Sequence, residues 1–182
     1  NYYAKDLPNY QQLKEYQPMI TTRIYAADDS LITEFSKEKR IFIPIELIPK
    51  NVISAFLAAE DSEFYNHPGI DIKAIIRTAY KNISASINNR SSLGGASTIT
   101  QQVVKNFLLT RDRTIERKIK EAILAIRMTH NFTKDQVLEL YLNQIYLGSG
   151  AYGIAAAAQS YFDKSINDLE IEEIALLATL PK

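Results

Sequence analysis

Glu60 is the first of two glutamates whose positions in the sequence could carry chemistry. The spacing of its neighbours predicts a helix that begins near Asn51, with Glu60 on the same face as Phe56, Leu57 and Phe64. A carboxylate among apolar side chains loses part of its hydration, which favours a general acid or base. A glutamate that only caps the backbone or pairs with a basic group would fit the same spacing, so both interpretations stay open.

Glu121 is the second glutamate, and it has cations within one helical turn. Arg117 and Lys118 precede it by four and three residues, which places all three on one strip of a helix. The strip is either a solvated ion-pair network or a diphosphate site in which Glu121 orients the cations. The net charge of the chain is zero, so only a local cationic patch points to an anionic ligand. The patch comprises Lys105, Arg111, Arg113, Arg117, Lys118 and Lys120, against Asp112 and Glu116.

A glycine-rich segment opens another predicted helix. Gly94 and Gly95 precede a polar run, and Thr98 with Gln101 has the spacing of a capping box. Unpaired N–H groups at a helix start favour anions, although this signal alone is weak.

Four motifs in order resemble those of the family 51 glycosyltransferases, the peptidoglycan glycosyltransferase domains of class A penicillin-binding proteins. They are Glu60-Asp61-x-x-Phe64-x-x-His67-x-Gly69; Gly95 to Gln102; Arg117-Lys118-x-x-Glu121-x-x-x-Ala125; and Tyr141-Leu142-Asn143-x-x-Tyr146-x-Gly148, which leads to Gly153. Together they cover roughly residues 60–157.

The resemblance implies a mainly α, lysozyme-like fold with two lobes and a small β-hairpin near the N-terminus. It implies an enzyme that polymerises lipid II into β-1,4-linked glycan with inversion and releases undecaprenyl diphosphate. Glu60 would be the general base, and Glu121 would organise cations, a metal ion or the diphosphate. The alternatives are a catalytically degenerate cell-wall scaffold and a lysozyme-like lytic muramidase.

The resemblance also implies roles for a larger set of residues. Those expected to bind the substrate or to shape its site are Asp61, Phe64, His67, Gly95, Ser97, Thr98, Gln101, Gln102, Lys105, Arg113, Arg117 and Lys118. Those expected to brace the fold are Asn143, Tyr146, Gly148 and Gly153. One position departs from the third motif, because Thr129 stands where an acidic residue is usual, which puts any ion pair of that residue in doubt.

No cofactor is required by this chemistry, and Mg²⁺ or Mn²⁺ at the diphosphate near Glu121 is left open. The chain has no cysteine and only two histidines, which argues against a zinc site. The expected partners are lipid II, the growing glycan chain, the bilayer surface and a transpeptidase domain of the full-length protein, but no nucleic acid. The expected location is the extracytoplasmic (periplasmic) face of the bacterial cytoplasmic membrane, with a transmembrane anchor outside this sequence.

One domain is expected over residues 1–182. Its parts are a loose segment (1–18), a β-hairpin with an extended segment (19–45) and a helical catalytic body (49–182). Expected helix starts lie at Asn51, Asp71, Ser97 or Thr98, Thr114 and Thr133. The first helix is expected to end at Pro68–Gly69. The second should carry Ile72, Ile75, Ile76, Ala79, Tyr80 and Ile83 on one side, and the fourth a core face of Ile115, Ile119, Ala122, Ile123 and Ile126.

Overall fold

The computed structural model describes residues 22–35, 39–87, 96–109 and 114–181. The expected loose segment at residues 1–18 lies outside these ranges. Among the described residues, contacts divide the chain into two compact units. The first unit is Asp61–Val137, and the second comprises the residues up to Glu60 and those from Leu138 onward.

The described residues are mainly helical, as predicted. The α-helices are α1 (Lys50–Glu60), α2 (Ile72–Ile87), α3 (Ile99–Leu108), α4 (Ile115–Asn131), α5 (Lys134–Gln144), α6 (Ile154–Phe162) and α7 (Ile171–Thr179). The strands are β1 (Thr22–Tyr25), β2 (Leu31–Phe35), β3 (Lys39–Arg40) and β4 (Ala151–Tyr152), and short 3-10 turns lie at Ile45–Leu47 and Ile166–Asp168. Within these residues, no helix combines the length and the hydropathy that crossing a bilayer requires.

The second unit begins with the predicted hairpin, which is confirmed. β1 and β2 pair antiparallel, with Thr22 opposite Phe35. The carboxylate of Asp28 accepts hydrogen bonds from the N–H and the hydroxyl of Ser30, at 3.0 and 2.6 Å, and these bonds hold the turn. Further along the unit, α1 packs against α7.

In the first unit, α3 packs against α4, and the predicted core face of α4 was wrong. Ile115 and Ile119 are exposed, whereas the buried residues of the helix are Glu121, Leu124, Ala125 and Met128. The helix is therefore turned so that the strip with Glu121 faces the interior. The apolar face predicted for α2 is also largely exposed to solvent.

The predicted end of the first helix was wrong as well, because α1 ends at Glu60. Beyond it the chain follows short turns, in which Phe64 N–H donates to Asp61 C=O at 3.0 Å and Asn66 N–H to Glu63 C=O at 2.8 Å. The cause is tertiary, since the Asp61 carboxylate is bonded to a distant helix, as described below.

Candidate active site

Glu60 is the last residue of α1, where its side chain is partly exposed. Phe56, one turn earlier, is fully buried, so the helix is anchored just before the carboxylate. Partial exposure suits a general base, because the hydroxyl that it deprotonates must be able to reach it.

Asp61, the next residue, is buried and ties the turn after Glu60 to the start of α3. Its carboxylate accepts the N–H of Ile99, the first residue of α3, at 3.0 Å, and both of its oxygens lie 3.0 Å from Nε2 of His67. Since Nδ1 of His67 accepts the N–H of Gly69 at 3.2 Å, the ring proton is on Nε2. The carboxylate thus lies at a helix N-terminus, where unpaired N–H groups stabilise negative charge.

Thr98 and Gln101 form the predicted capping box at the start of α3. Thr98 Oγ1 accepts Gln101 N–H at 3.2 Å, and Gln101 Oε1 accepts Thr98 N–H at 3.0 Å. The Thr98 hydroxyl also donates to Gly69 C=O at 2.6 Å. The structure thus gives both residues positioning roles, and their binding of sugar or phosphate, like that of the buried Gln102, stays a prediction.

Gly69 lies where the turn after Glu60 meets α4. Its φ is +96°, and a Cβ there would lie 2.4 Å from the carbonyl oxygen of Ala125. Only glycine allows both the backbone angle and the close approach.

We expect Gly69→Ala to lower the free energy of unfolding by more than the backbone angle alone would cost. Gly150 is a matched control, because its φ is +74° and a Cβ there would meet no atom of the described residues within 4 Å. The left-handed angle should cost Gly150→Ala about 1–2 kcal/mol, and the clash should add to that in Gly69→Ala. Urea unfolding of both variants measures the difference, and equal losses would show that the turn does not dock tightly on α4.

Lys134 holds the same turn from its other side, a role that was not predicted from the sequence. Its Nζ donates to the carbonyl oxygens of Phe64 and His67, the latter at 2.7 Å, and lies 4.5 Å from the centre of the Phe64 ring. Burial lowers the pKa of Lys134, while the negative charge of Asp61 acts to raise it. One sequence signal existed, because a lysine at the first position of a helix opposes the helix dipole and needs another reason to be there.

Glu121 pairs with both cations of its helical strip, as their spacing predicted. Its side chain is 1% exposed and accepts hydrogen bonds from Nζ of Lys118 at 2.6 Å and from the guanidinium of Arg117 at 3.4 Å. Burying a carboxylate is costly unless it is paired, and the two cations offset that cost. Glu121 therefore fixes two positive charges in place.

Lys118 links this site to the glycine-rich segment. Its Nζ also donates to Ser97 Oγ at 2.8 Å, and its side chain is 48% exposed, so it remains accessible to a ligand. Nε of Arg117 is buried with no hydrogen-bond partner among the described residues. The exposed amine of Lys118 suits an anion that would accept further hydrogen bonds.

The protein groups at Glu121 do not by themselves fit a divalent metal ion. Mg²⁺ prefers about six oxygen ligands, whereas Glu121 is one carboxylate that already accepts from two cations. No group of three or more acidic or histidine side chains is placed to hold a metal within the described residues. An ion there would depend on oxygens of the diphosphate itself.

The remaining predicted binding residues are only partly placed. Lys105 lies in the last turn of α3 and is partly buried, while Gly95 and Arg113 lie outside the described residues. Thr129, the departure from the third motif, lies 3.1 Å from Pro68 C=O and 2.9 Å from Ile126 C=O. The Thr129 hydroxyl has one proton for two carbonyl acceptors, so it links the turn before Gly69 to α4 only when it donates to Pro68, and it carries no charge.

Residues of the fourth motif mostly brace the second unit. Asn143 accepts the N–H of Ile43 and donates to its C=O, both at 2.8 Å. Gly153 has φ +84°, and a Cβ there would lie 2.7 Å from Asn143 C=O; at Gly148 it would lie 2.5 Å from the hydroxyl of Tyr161. Tyr146 differs, because its side chain is half exposed.

Comparison with known proteins agrees with these motifs. The family model described as Transglycosylase matches residues 28–182. Penicillin-binding protein 1A of Rickettsia felis is 56% identical over 181 residues, which is 100% of this chain and 23% of the relative. Those of Aquifex aeolicus and Escherichia coli K12 are 49% and 46% identical, over 98% and 100% of this chain and 24% and 21% of theirs. A 2.6 Å crystal structure of penicillin-binding protein 1A from Haemophilus influenzae matches with a TM-score of 0.42 and 28% identity, over 91% of this chain and 14% of that one.

The chain belongs to the transglycosylase family, and it is a peptidoglycan glycosyltransferase domain. It spans about a quarter of the length of the curated relatives that it matches.

Proposed function

We propose that the chain polymerises lipid II into β-1,4-linked glycan with inversion and releases undecaprenyl diphosphate. The observation that carries the proposal is the buried Glu121, which holds Arg117 and Lys118, the latter also bonded to Ser97. Fixed cations favour a reaction in which negative charge develops on a leaving group, and a diphosphate is such a group.

Glu60 supplies the proton acceptor in this proposal. The 4-hydroxyl of the acceptor GlcNAc gives its proton to Glu60, and its oxygen bonds to the anomeric carbon of the growing chain's terminal MurNAc. The bond from that carbon to the diphosphate oxygen breaks, and the electron pair leaves with the diphosphate. Attack opposite the leaving group converts the α-linked donor into a β-1,4 linkage.

Glu121 exchanges no proton in this scheme, because both of its oxygens are occupied by cations. It keeps Arg117 and Lys118 oriented before the substrate arrives, so that little reorganisation is needed as charge develops. The turn that follows Glu60 is fixed before the substrate arrives, by Asp61, His67 and Lys134.

A bilayer surface is the proposed partner of α2. Its exposed apolar side chains are Ile72, Ile75, Ile76, Tyr80 and Ile83. The cations Lys73, Arg77 and Lys81 recur every four residues next to this stripe and are also exposed. An amphipathic helix with basic residues beside its apolar face is typical of helices that lie in the membrane interface, where the lipid tail of the substrate would also remain.

We expect the chain to bind vesicles that contain anionic lipid, and Ile76→Ser to weaken this binding by about tenfold. Ile76 is 64% exposed, and burying one isoleucine side chain contributes about 1.5–3 kcal/mol. Ile171→Ser is a matched control, because Ile171 is 72% exposed but lies on α7. Vesicle co-sedimentation measures both, and equal weakening by the two variants would contradict a specific role of α2.

We further propose that the full-length protein carries a transpeptidase domain and a transmembrane anchor and works at the periplasmic face of the cytoplasmic membrane. The support is that this chain accounts for only 23% of its Rickettsia felis relative.

The substrate on which the chain acts distinguishes a polymerase from a lytic muramidase and from a scaffold. The chain should convert lipid II into glycan and leave isolated peptidoglycan intact. Release of soluble fragments from peptidoglycan would instead indicate a lytic muramidase, and binding of lipid II without turnover would indicate a scaffold.

A further inference from the structure

Three side chains form a row across a small sheet in the second unit. β3 pairs in parallel with β4, which places Arg40 opposite Tyr152, and Tyr152 is bridged on its other side to Tyr146. Residues directly opposite each other in a sheet point to the same face. We call Arg40, Tyr152 and Tyr146 the aromatic ladder. Ala151, next to Tyr152 in β4, points to the other face and is fully buried.

The aromatic ladder is held rigidly. The rings of Tyr146 and Tyr152 have centroids 4.9 Å apart with an angle of 46° between their planes, and the guanidinium carbon of Arg40 lies 4.3 Å from the centre of the Tyr152 ring. Arg40 also donates to the side chain of Gln144. Tyr152 therefore lies between a cation and a second aromatic ring, yet Tyr146 keeps 49% of its surface exposed.

Bracing of the fold does not explain this exposure. Asn143 and Gly153 meet through a backbone carbonyl, and Gly148 makes room for the hydroxyl of Tyr161. The contacts of these three positions lie in the interior, whereas the ring of Tyr146 faces outward. A rigid aromatic surface left in water is a feature of ligand-binding faces.

We propose that the aromatic ladder binds a sugar ring of a β-1,4-linked glycan strand; this inference rests on the proposed function, which makes such a strand the product. A pyranose has a face of C–H groups and a rim of hydroxyls. The C–H face gains free energy by leaving water against the exposed ring of Tyr146, and the phenol groups of Tyr146 and Tyr152 offer hydrogen bonds to the rim. Arg40 is a positioning residue that fixes the Tyr152 ring.

The ladder suits one sugar ring of such a strand. Its exposed aromatic surface is the ring of Tyr146, whose centroid lies 4.9 Å from that of Tyr152. Because its side chains are already packed on each other, binding a strand costs little side-chain ordering. The ladder contains none of the residues assigned to proton transfer or to the diphosphate, so its role is to hold the strand.

The test is binding of chitotetraose, the β-1,4-linked tetramer of N-acetylglucosamine, measured by isothermal titration. Tyr146→Ala should raise the dissociation constant about tenfold or more, and Tyr146→Trp should restore it because the ring face returns. Tyr65→Ala is the matched control, since Tyr65 is equally exposed but lies in the first unit, and it should bind as the native chain does. Thermal unfolding of each variant checks that the fold is kept.

Three results would overturn the inference: no binding of the tetramer by the native chain at millimolar concentration, native affinity in a folded Tyr146→Ala, or equal weakening by Tyr65→Ala. Absence of tetramer binding by the native chain would indicate that the ladder contacts another protein rather than a glycan. Lipid II polymerisation by the same preparation separates this inference from the proposed function. If the chain makes polymer but does not bind the tetramer, only the proposed glycan binding by the ladder is refuted. If it binds the tetramer through the ladder but makes no polymer, the glycan binding is supported and the proposed polymerase function is refuted.

Discussion

Glu60→Gln is expected to lower the initial rate of glycan polymerisation by about 10²–10⁴-fold, the usual contribution of general acid–base catalysis. Glutamine keeps the shape of the side chain but cannot take up the proton of the acceptor hydroxyl at neutral pH. The fold should be retained, since the side chain is partly exposed and ends a helix that Phe56 anchors. A continuous assay with fluorescent lipid II gives the rate, and thermal unfolding checks the fold.

Glu63→Gln is the matched control for that experiment. Glu63 lies three residues further on and is exposed, and among the described contacts its carboxylate accepts a hydrogen bond only from the side chain of Asn66. Its substitution should leave the rate unchanged. A folded Glu60→Gln variant with near-native rate would remove Glu60 from the role of base.

Glu121→Ala should have the second large effect, on stability and activity together. Removing one partner of a buried ion pair costs about 3–5 kcal/mol, and the lower end is expected because Lys118 is half exposed and can turn to solvent. The rate should also fall, since Arg117 and Lys118 lose the group that orients them. Urea unfolding measures the stability, and the lipid II assay measures the rate.

Glu116→Ala on the same helix separates this effect from the loss of an ordinary ion pair. Glu116 is exposed and pairs with Lys120 at 2.8 Å, an arrangement that contributes about 0–1 kcal/mol. If both alanine variants lost the same stability, Glu121 would not be the buried organiser of the cations.

Local signals in the sequence predicted much of the fold. The hairpin turn at Asp28 and the helix starts at Asp71, Thr98 and Thr133 all depend on hydrogen bonds between residues within three positions of each other. Both partners of each contact lie within one short stretch of sequence, so the local pattern was enough to predict them.

Periodicity was less informative about which face is covered. It correctly grouped the isoleucines of α2 on one side, but it could not show that this side faces solvent. On α4 it predicted that the face with Ile115 and Ile119 is buried, whereas the buried strip is the one that contains Glu121. Helical spacing defines a face, and only the surrounding elements decide whether that face is buried.

Long-range contacts account for the rest of the site. α1 ends at Glu60 while the carboxylate of the next residue bonds to Ile99, which is 38 positions away in the chain. Lys134 reaches back to the carbonyl of His67, 67 positions away. Neither distance is visible in a local pattern. The Glu121 strip was predictable because its partners lie three and four residues away on one helix.

The most direct test of Glu60 as the base of a polymerase is to incubate the native chain and Glu60→Gln side by side with the same fluorescent lipid II and to separate the products by size. We expect long, lysozyme-sensitive glycan from the native chain alone. Polymer of equal length and yield from a folded Glu60→Gln chain, or no polymer from a native chain that binds lipid II, would contradict it.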